Sequence, residues 1–244
     1  MFNRLLFCHE SLKYMEKTTV LITGTNRGLG LKLTEEYAKL GWQVIATCRN
    51  PDKARELNNL TGQYDSINIY KLEVEDSQQI KKLATQLHNQ AIDILINNAG
   101  IYRSCTLGNL DKQAWLESFA VNAIAPYEIT NAFLPHLHHG QQKKVVSITS
   151  KMGSIDDNTS GGSYIYRSSK TALNSVMRSL QHDLAHQNIA TLTLHPGWVK
   201  TDMGGLGAWI SVDESVSGMI RQIEKLNLSN SGEYVDYAGK KINW

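Results

Sequence analysis

At 244 residues the chain is long enough to bury one sizeable core, and a single α/β domain of that length is ordinary. A formal net charge of +2 argues against nucleic acid or an anionic membrane as a partner, and apolar runs such as Ile94-Leu95-Ile96 have the length of strands, not of membrane spans. Three dispersed cysteines, Cys8, Cys48 and Cys105, exclude a disulfide framework or a cysteine metal site and fit a reducing, cytoplasmic setting.

Residues 1–17 carry only Leu5-Leu6-Phe7 between Arg4 and Cys8-His9-Glu10, too short for a secretory signal and not Arg-rich enough for a transit peptide. An N-terminal arm, or a start set too early with Met15 as the true beginning, is expected there. Residues 18–244 are expected to form one domain. Val20 to Ile22 reads as a buried strand, Leu29 to Leu40 as a helix ended by Gly41, and Gln43 to Thr47 as the second strand. Helix is expected over Pro51 to Leu60, strand over Ile67 to Val74, helix over Ser77 to His88, and strand over Ile92 to Ile96. A long helix over Lys112 to His138 precedes a strand at Val145 to Thr149. Tyr164 to His186 reads as helix, Ile189 to Leu194 as strand, Ser215 to Leu226 as helix, and Tyr234-Val235 as an edge strand. Repeated strand–helix units with continuously apolar strands predict a Rossmann-type, doubly wound, mostly parallel sheet of about seven strands with helices on both faces.

In such a sheet, ligands bind at the carboxyl ends of the strands where strand order reverses. Thr23-Gly24-Thr25-Asn26-Arg27-Gly28-Leu29-Gly30 lies there, between the first strand and first helix. Glycines allow a tight turn and close approach to a pyrophosphate, and free N–H groups at the helix start favour its charge. A carboxylate at the end of the second strand, roughly 20 residues past the glycines, would bond the adenosine ribose of NAD. Cys48 holds that place and Arg49 follows it, with Arg27 in the turn as a second cation. Arginine can fork onto a 2′-phosphate, so NADP(H) is the expected cofactor.

Tyr166 and Lys170 are four residues apart on a predicted helix and share a face, whereas Tyr164 points elsewhere. A phenol titrates near ~10 and becomes an acid–base group at neutral pH only beside a cation. Ser150 follows a strand, Asn97-Asn98-Ala99-Gly100 closes another, and Pro196-Gly197-Trp198-Val199-Lys200-Thr201-Asp202 closes a third, all at the same edge.

With these motifs the chain resembles the short-chain dehydrogenase/reductase family in its compact single-domain branch, over Thr18 to about Thr201. The segment from Gly153 to Gly162 and the ending Gly239 to Trp244 are similar to the C-factor and sniffer-type carbonyl reductases within it. The resemblance implies Tyr166 as acid or base, Ser150 as a hydrogen-bond donor to the substrate oxygen, and Lys170 as the cation that also holds the nicotinamide ribose. It implies that Asn122 distorts its helix around a water relaying protons to Lys170. Gly24, Asn26, Arg27, Gly28, Leu29, Gly30, Arg49, Glu73, Val74, Asn98, Ala99 and Gly100 would line the adenine and phosphate side. Pro196, Gly197, Val199 and Thr201 would flank the nicotinamide. Glu73 stands where the family usually has aspartate. Residues between Ser150 and Tyr166 are expected to loop over the cleft, and Thr201 to Val212 to form a lid flanked by Trp198 and Trp209, as substrate contacts or as core. His136, His138 and His139 suit a helix end, and His182 and His186 lack the glutamate of a zinc helix, so no metal is expected. A carbonyl or alcohol is the expected substrate, in a homodimer or homotetramer paired through the helices Lys112–His138 and Tyr164–His186. A cofactor-binding signalling protein is the alternative.

Overall fold

The computed structural model describes residues 18–244, so the expectations for residues 1–17 lie outside the described residues. In chain order the elements are β1 (Thr19–Thr23), α1 (Gly28–Lys39), β2 (Gln43–Cys48), α2 (Arg55–Thr61), β3 (Ile67–Lys71), α3 (Ser77–Gln86) and β4 (Ile94–Asn97). They continue as α4 (Lys112–Phe119), α5 (Ala125–His139), β5 (Lys144–Ile148), α6 (Tyr164–Ala185), β6 (Ala190–His195), α7 (Val212–Lys225) and β7 (Glu233–Asp236).

The strands are apolar on both sides because both sides are covered. Val20 and Ile22 of β1 pack under α1 and α7, while Leu21 between them packs under α3, α5 and α6. Ile94 and Ile96 of β4 repeat the split around Leu95, which is the period of two expected of a strand buried on both faces. The result is a seven-stranded sheet of order β3-β2-β1-β4-β5-β6-β7 with every pairing parallel, a Rossmann-like α/β fold. Strand order reverses between β1 and β4, and the carboxyl ends on either side of that point form the crevice.

Some boundaries differ from the sequence reading for physical reasons. The helix expected over Pro51–Leu60 is a 3-10 turn at Pro51–Lys53 followed by α2, broken at Ala54, whose backbone leaves the helical region at ψ 65°. β3 stops at Lys71, not Val74, because it lies at the sheet edge and its sole partner β2 ends opposite, at Cys48. α7 begins three residues earlier than expected, where the Ser211 hydroxyl accepts the Glu214 N–H at 3.0 Å and caps it.

Candidate active site

The glycine turn is built by two loops packed against each other. Gly24 and Gly28 have φ of +70° and +58°, and a side chain at Gly24 would meet the Ala99 backbone at 2.9 Å. The Thr23 hydroxyl accepts the Asn98 and Ala99 N–H groups, each at 3.0 Å, and Asn98 Nδ2 donates to the carbonyls of Thr23 and Gly24 at 2.8 and 3.0 Å. Asn98 therefore buttresses the turn from below. At the start of α1 the capping position is Arg27, no side chain caps the first turn, and no acid lies in it. Its N–H groups are left to an anionic ligand.

Cys48 is 3% exposed and belongs to the core beneath α1, so the rim position falls to Arg49. The Arg49 guanidinium lies 3.9 Å from the Glu73 carboxylate, whose pKa is pushed up by burial and pulled back by that arginine. Val74 packs into the core and can offer only its backbone. Asn26 is exposed, and Arg27 reaches across the crevice to Asp202 at 2.6 Å, so the two arginines have different partners. That pair is exposed on both sides and weak, which leaves Arg27 available to a stronger anion.

Across the crevice, α6 turns Tyr166 and Lys170 inward, 7% and 4% exposed, while Tyr164 stays at the surface. Lys170 Nζ donates to the Ile148 carbonyl at 3.0 Å and sits 6.0 Å from the centre of the Tyr166 ring. Burial pulls the lysine down to about 8. It pushes the Tyr166 phenol up to about 12, against a hydrogen bond with Ser150 that lowers it; the neighbouring Tyr102 raises it further. Tyr102, which the sequence reading missed, meets the Tyr166 ring edge-on at 4.9 Å. No pattern could have found it, since it lies in an irregular loop. His195, at the end of β6, is held down to about 4 by burial.

The long helix expected over Lys112–His138 is two helices joined by a π-turn at Ala120–Ile124 centred on Asn122. Fully buried, Asn122 accepts the Ile101 N–H with Oδ1 and donates to the Ile101 carbonyl and the Ser169 hydroxyl with Nδ2, at 2.9, 2.9 and 3.0 Å. This clamp draws the loop after β4 onto α6. A Cβ at Gly100 would come within 3.2 Å of Asn122 Oδ1 and 3.4 Å of Lys170 Nζ, so both groups address one spot.

These residues open onto a cleft of about 1040 Å³. Leu29, Ser150, Tyr166 and the Pro196, Gly197, Val199 and Thr201 segment all line it, as do Ser154, Asp156, Asp157 and Thr159 of the loop expected to cover it. Thr201 lies beside Gly28, bringing the segment after β6 against the glycine turn. Trp198 and Trp209 are 46% and 67% exposed and pack edge-on at 5.0 Å, which makes them cleft wall and not core. His136 is buried against Phe133, while His138, His139, His182 and His186 are exposed. Among the described residues, no group of three or more His, Cys, Asp or Glu side chains is gathered as metal ligands, and no helix is long and apolar enough to cross a membrane.

A doubly wound sheet with an acid–base cluster facing a glycine turn across its switch point is the layout of an oxidoreductase. A model of short chain dehydrogenases matches residues 18–206, and the chain belongs to that family. Among curated proteins it is 43% identical to the C-signal protein of Myxococcus xanthus over 166 residues, which is 68% of this chain and all of that one. It superposes on an NADPH-bound carbonyl reductase from chicken fatty liver with TM-score 0.88 and 36% identity, covering 93% of this chain and 99% of the other. The carbonyl reductase Sniffer of D. melanogaster gives TM-score 0.87 and 34% identity over 93% and 100%.

Proposed function

We propose that the chain is an NADP(H)-dependent carbonyl reductase, acting on aldehydes, ketones or quinones or on the matching alcohols in reverse. The observation that carries this reading is the placement of Ser150 and Tyr166 together on one wall of the cleft, with Lys170 buried behind Tyr166, opposite an uncapped helix start. The residues fit the cofactor. The acid-free first turn of α1 suits a pyrophosphate, Gly24 and Gly30 let the turn close on Ala99 and on itself so that its backbone can face one, and Lys170 is a buried cation with no carboxylate among the causes of its shift. Arg49 stands at the rim of β2 for a 2′-phosphate, with Arg27 as a second cation. The chicken fatty liver relative is NADPH-bound, and a similar Burkholderia multivorans protein has bound NADP.

When bound, NADPH supplies the hydride. Tyr166 Oη gives a proton to the carbonyl oxygen, and Ser150 Oγ donates a hydrogen bond to the same atom as negative charge develops there. Lys170, a buried cation 6.0 Å from the centre of the Tyr166 ring, stabilises the phenolate left behind. Asn122 positions the loop after β4, and its Oδ1 faces, with Lys170 Nζ, the spot beside Gly100 where a water would relay protons to the lysine.

The test is a carbonyl panel run with NADPH and with NADH. Turnover with a lower Michaelis constant for NADPH is expected, and Arg49→Ser should raise that constant about 10- to 100-fold, the worth of one or two charge-assisted bonds. A preference for NADH would overturn the cofactor assignment. Absence of turnover with every carbonyl would favour the second reading, a cofactor-binding signalling protein, which the identity with C-signal supports. A homodimer or homotetramer is part of the proposal: Leu116, Ile124 and Tyr127 on the α4–α5 side are 57%, 53% and 49% exposed, an apolar face suited to pairing. Light scattering on the eluted protein checks it, and a monomer at micromolar concentration would rule it out.

A further inference from the structure

Ser150 is the first residue after β5 to leave the sheet. The last ladder contact there is the Thr149 N–H to the Leu194 carbonyl, at 2.9 Å. Beyond it the chain turns sharply, and the Ser150 carbonyl closes a 3-10 turn by accepting the Gly153 N–H at 2.7 Å. That bond shapes the turn but ties it to nothing outside itself. The outside grips come from α6 and β7, the α6 contacts including Arg167 Nη1 to the Met152 carbonyl at 3.4 Å. From α6, Thr171 Oγ1 and Asn174 Nδ2 donate to the Gly153 carbonyl at 2.9 and 3.2 Å. From β7, the Tyr234 phenol crosses β6 and donates to the Ser150 carbonyl at 2.7 Å.

Tyr234 lies outside the stretch matched by the family, which ends at residue 206, so nothing in the shared motifs assigns it a role. It is 3% exposed, and a buried phenol needs a hydrogen-bond partner; this one has found the backbone of the serine that faces Tyr166. Its ring packs against Trp244 at 5.3 Å. The groups facing its hydroxyl are Asn174 and Tyr166 from α6 and Asp157 from the loop after Ser150, and burial pushes its pKa up, so it keeps its proton and remains a donor.

We propose that Tyr234 is a positioning residue: by holding the Ser150 carbonyl to β7 it sets where the Ser150 hydroxyl stands relative to the Tyr166 phenol and the substrate oxygen. The inference rests on the reading of Tyr166 as the acid and Ser150 as its partner. Ser150 is then pinned on both sides, through the Thr149 N–H to β6 and through its own carbonyl to β7. The precision matters because small misplacements of a donor from the reacting atom cost rate steeply.

Tyr234→Phe keeps the ring and its contact with Trp244 and removes the hydroxyl, and with it the bond to the Ser150 carbonyl and the contact with Asn174. It is expected to lower kcat for carbonyl reduction about tenfold while the dissociation constant for NADPH stays unchanged. In alcohol oxidation, where the phenolate must form, the rising limb of the pH profile should move to higher pH, because the phenol loses part of the hydrogen bond from Ser150. In a Ser150→Ala background the same substitution should have no further effect on either quantity. Wild-type kcat and pH limb in Tyr234→Phe, or an equal loss in the Ser150→Ala background, would overturn the proposal. Hydrogen exchange of the segment 149–154 gives a readout independent of turnover: it should quicken in Tyr234→Phe while α6 is unaffected, and unchanged exchange would also overturn it. Should the wild type reduce no carbonyl, the functional reading fails on its own, and the exchange measurement still decides whether Tyr234 holds the turn.

Discussion

In the Tyr166→Phe variant, carbonyl reduction is expected to fall by about 10²- to 10⁴-fold, the usual worth of a positioned general acid, with NADPH affinity unchanged. Phenylalanine keeps the volume of a side chain that is 7% exposed and keeps the edge-on contact with Tyr102, so the change removes only the hydroxyl. What disappears is the proton for the developing alkoxide. Kinetics at saturating carbonyl, paired with fluorescence titration of NADPH, separate loss of chemistry from loss of binding. Turnover that survives the substitution would remove Tyr166 from the mechanism and shift attention to His195, a buried titratable group that also lines the cleft.

The second large effect belongs to Lys170 and is seen in the pH profile. Burial holds Tyr166 up to about 12, so the phenol stays protonated throughout the working range and its own ionisation cannot limit reduction. Lys170 is pulled down to about 8. Below that pH it is charged and stabilises the phenolate formed as the proton leaves; above it the amine is neutral and this stabilisation is gone. Carbonyl reduction should therefore be level up to about pH 8 and decline above it. Lys170→Met should run at all pH values about 10²-fold below the wild-type plateau, the rate equivalent of the phenolate stabilisation it lacks, and without the limb. Lys170→Arg, where it retains activity, should lose the limb by staying charged. His195 titrates far lower, at about 4, and cannot produce it. A decline at the same pH in Lys170→Met would assign the limb to another group.

Much of the fold was legible because it is written in short-range periodicity. Strands such as Val20-Leu21-Ile22 and Ile94-Leu95-Ile96 are apolar at every position, which only a sheet covered on both faces can bury. Tyr166 and Lys170 share a helix face by spacing alone, and the glycine turn announces itself by residue type. The π-turn escaped the helical pattern because the pattern cannot register one inserted residue when the apolar face continues on both sides of it. Asn122 makes that distortion worthwhile by clamping Ile101, 21 residues away.

Local pattern was enough for the parallel α/β layout and for the edge of the sheet where the site lies, and it singled out the residues proposed for acid–base chemistry there. Which partners those residues meet depends on how the elements pack. Packing turned Cys48 into the core and left the rim of β2 to Arg49, sent Arg27 across 175 positions to Asp202, and brought Tyr234 to the carbonyl of Ser150, 84 positions away. The reason is physical. Backbone propensity and side-chain period act over a few residues, whereas a hydrogen bond between distant segments depends on how closely whole strands and helices pack, and no local pattern carries that information.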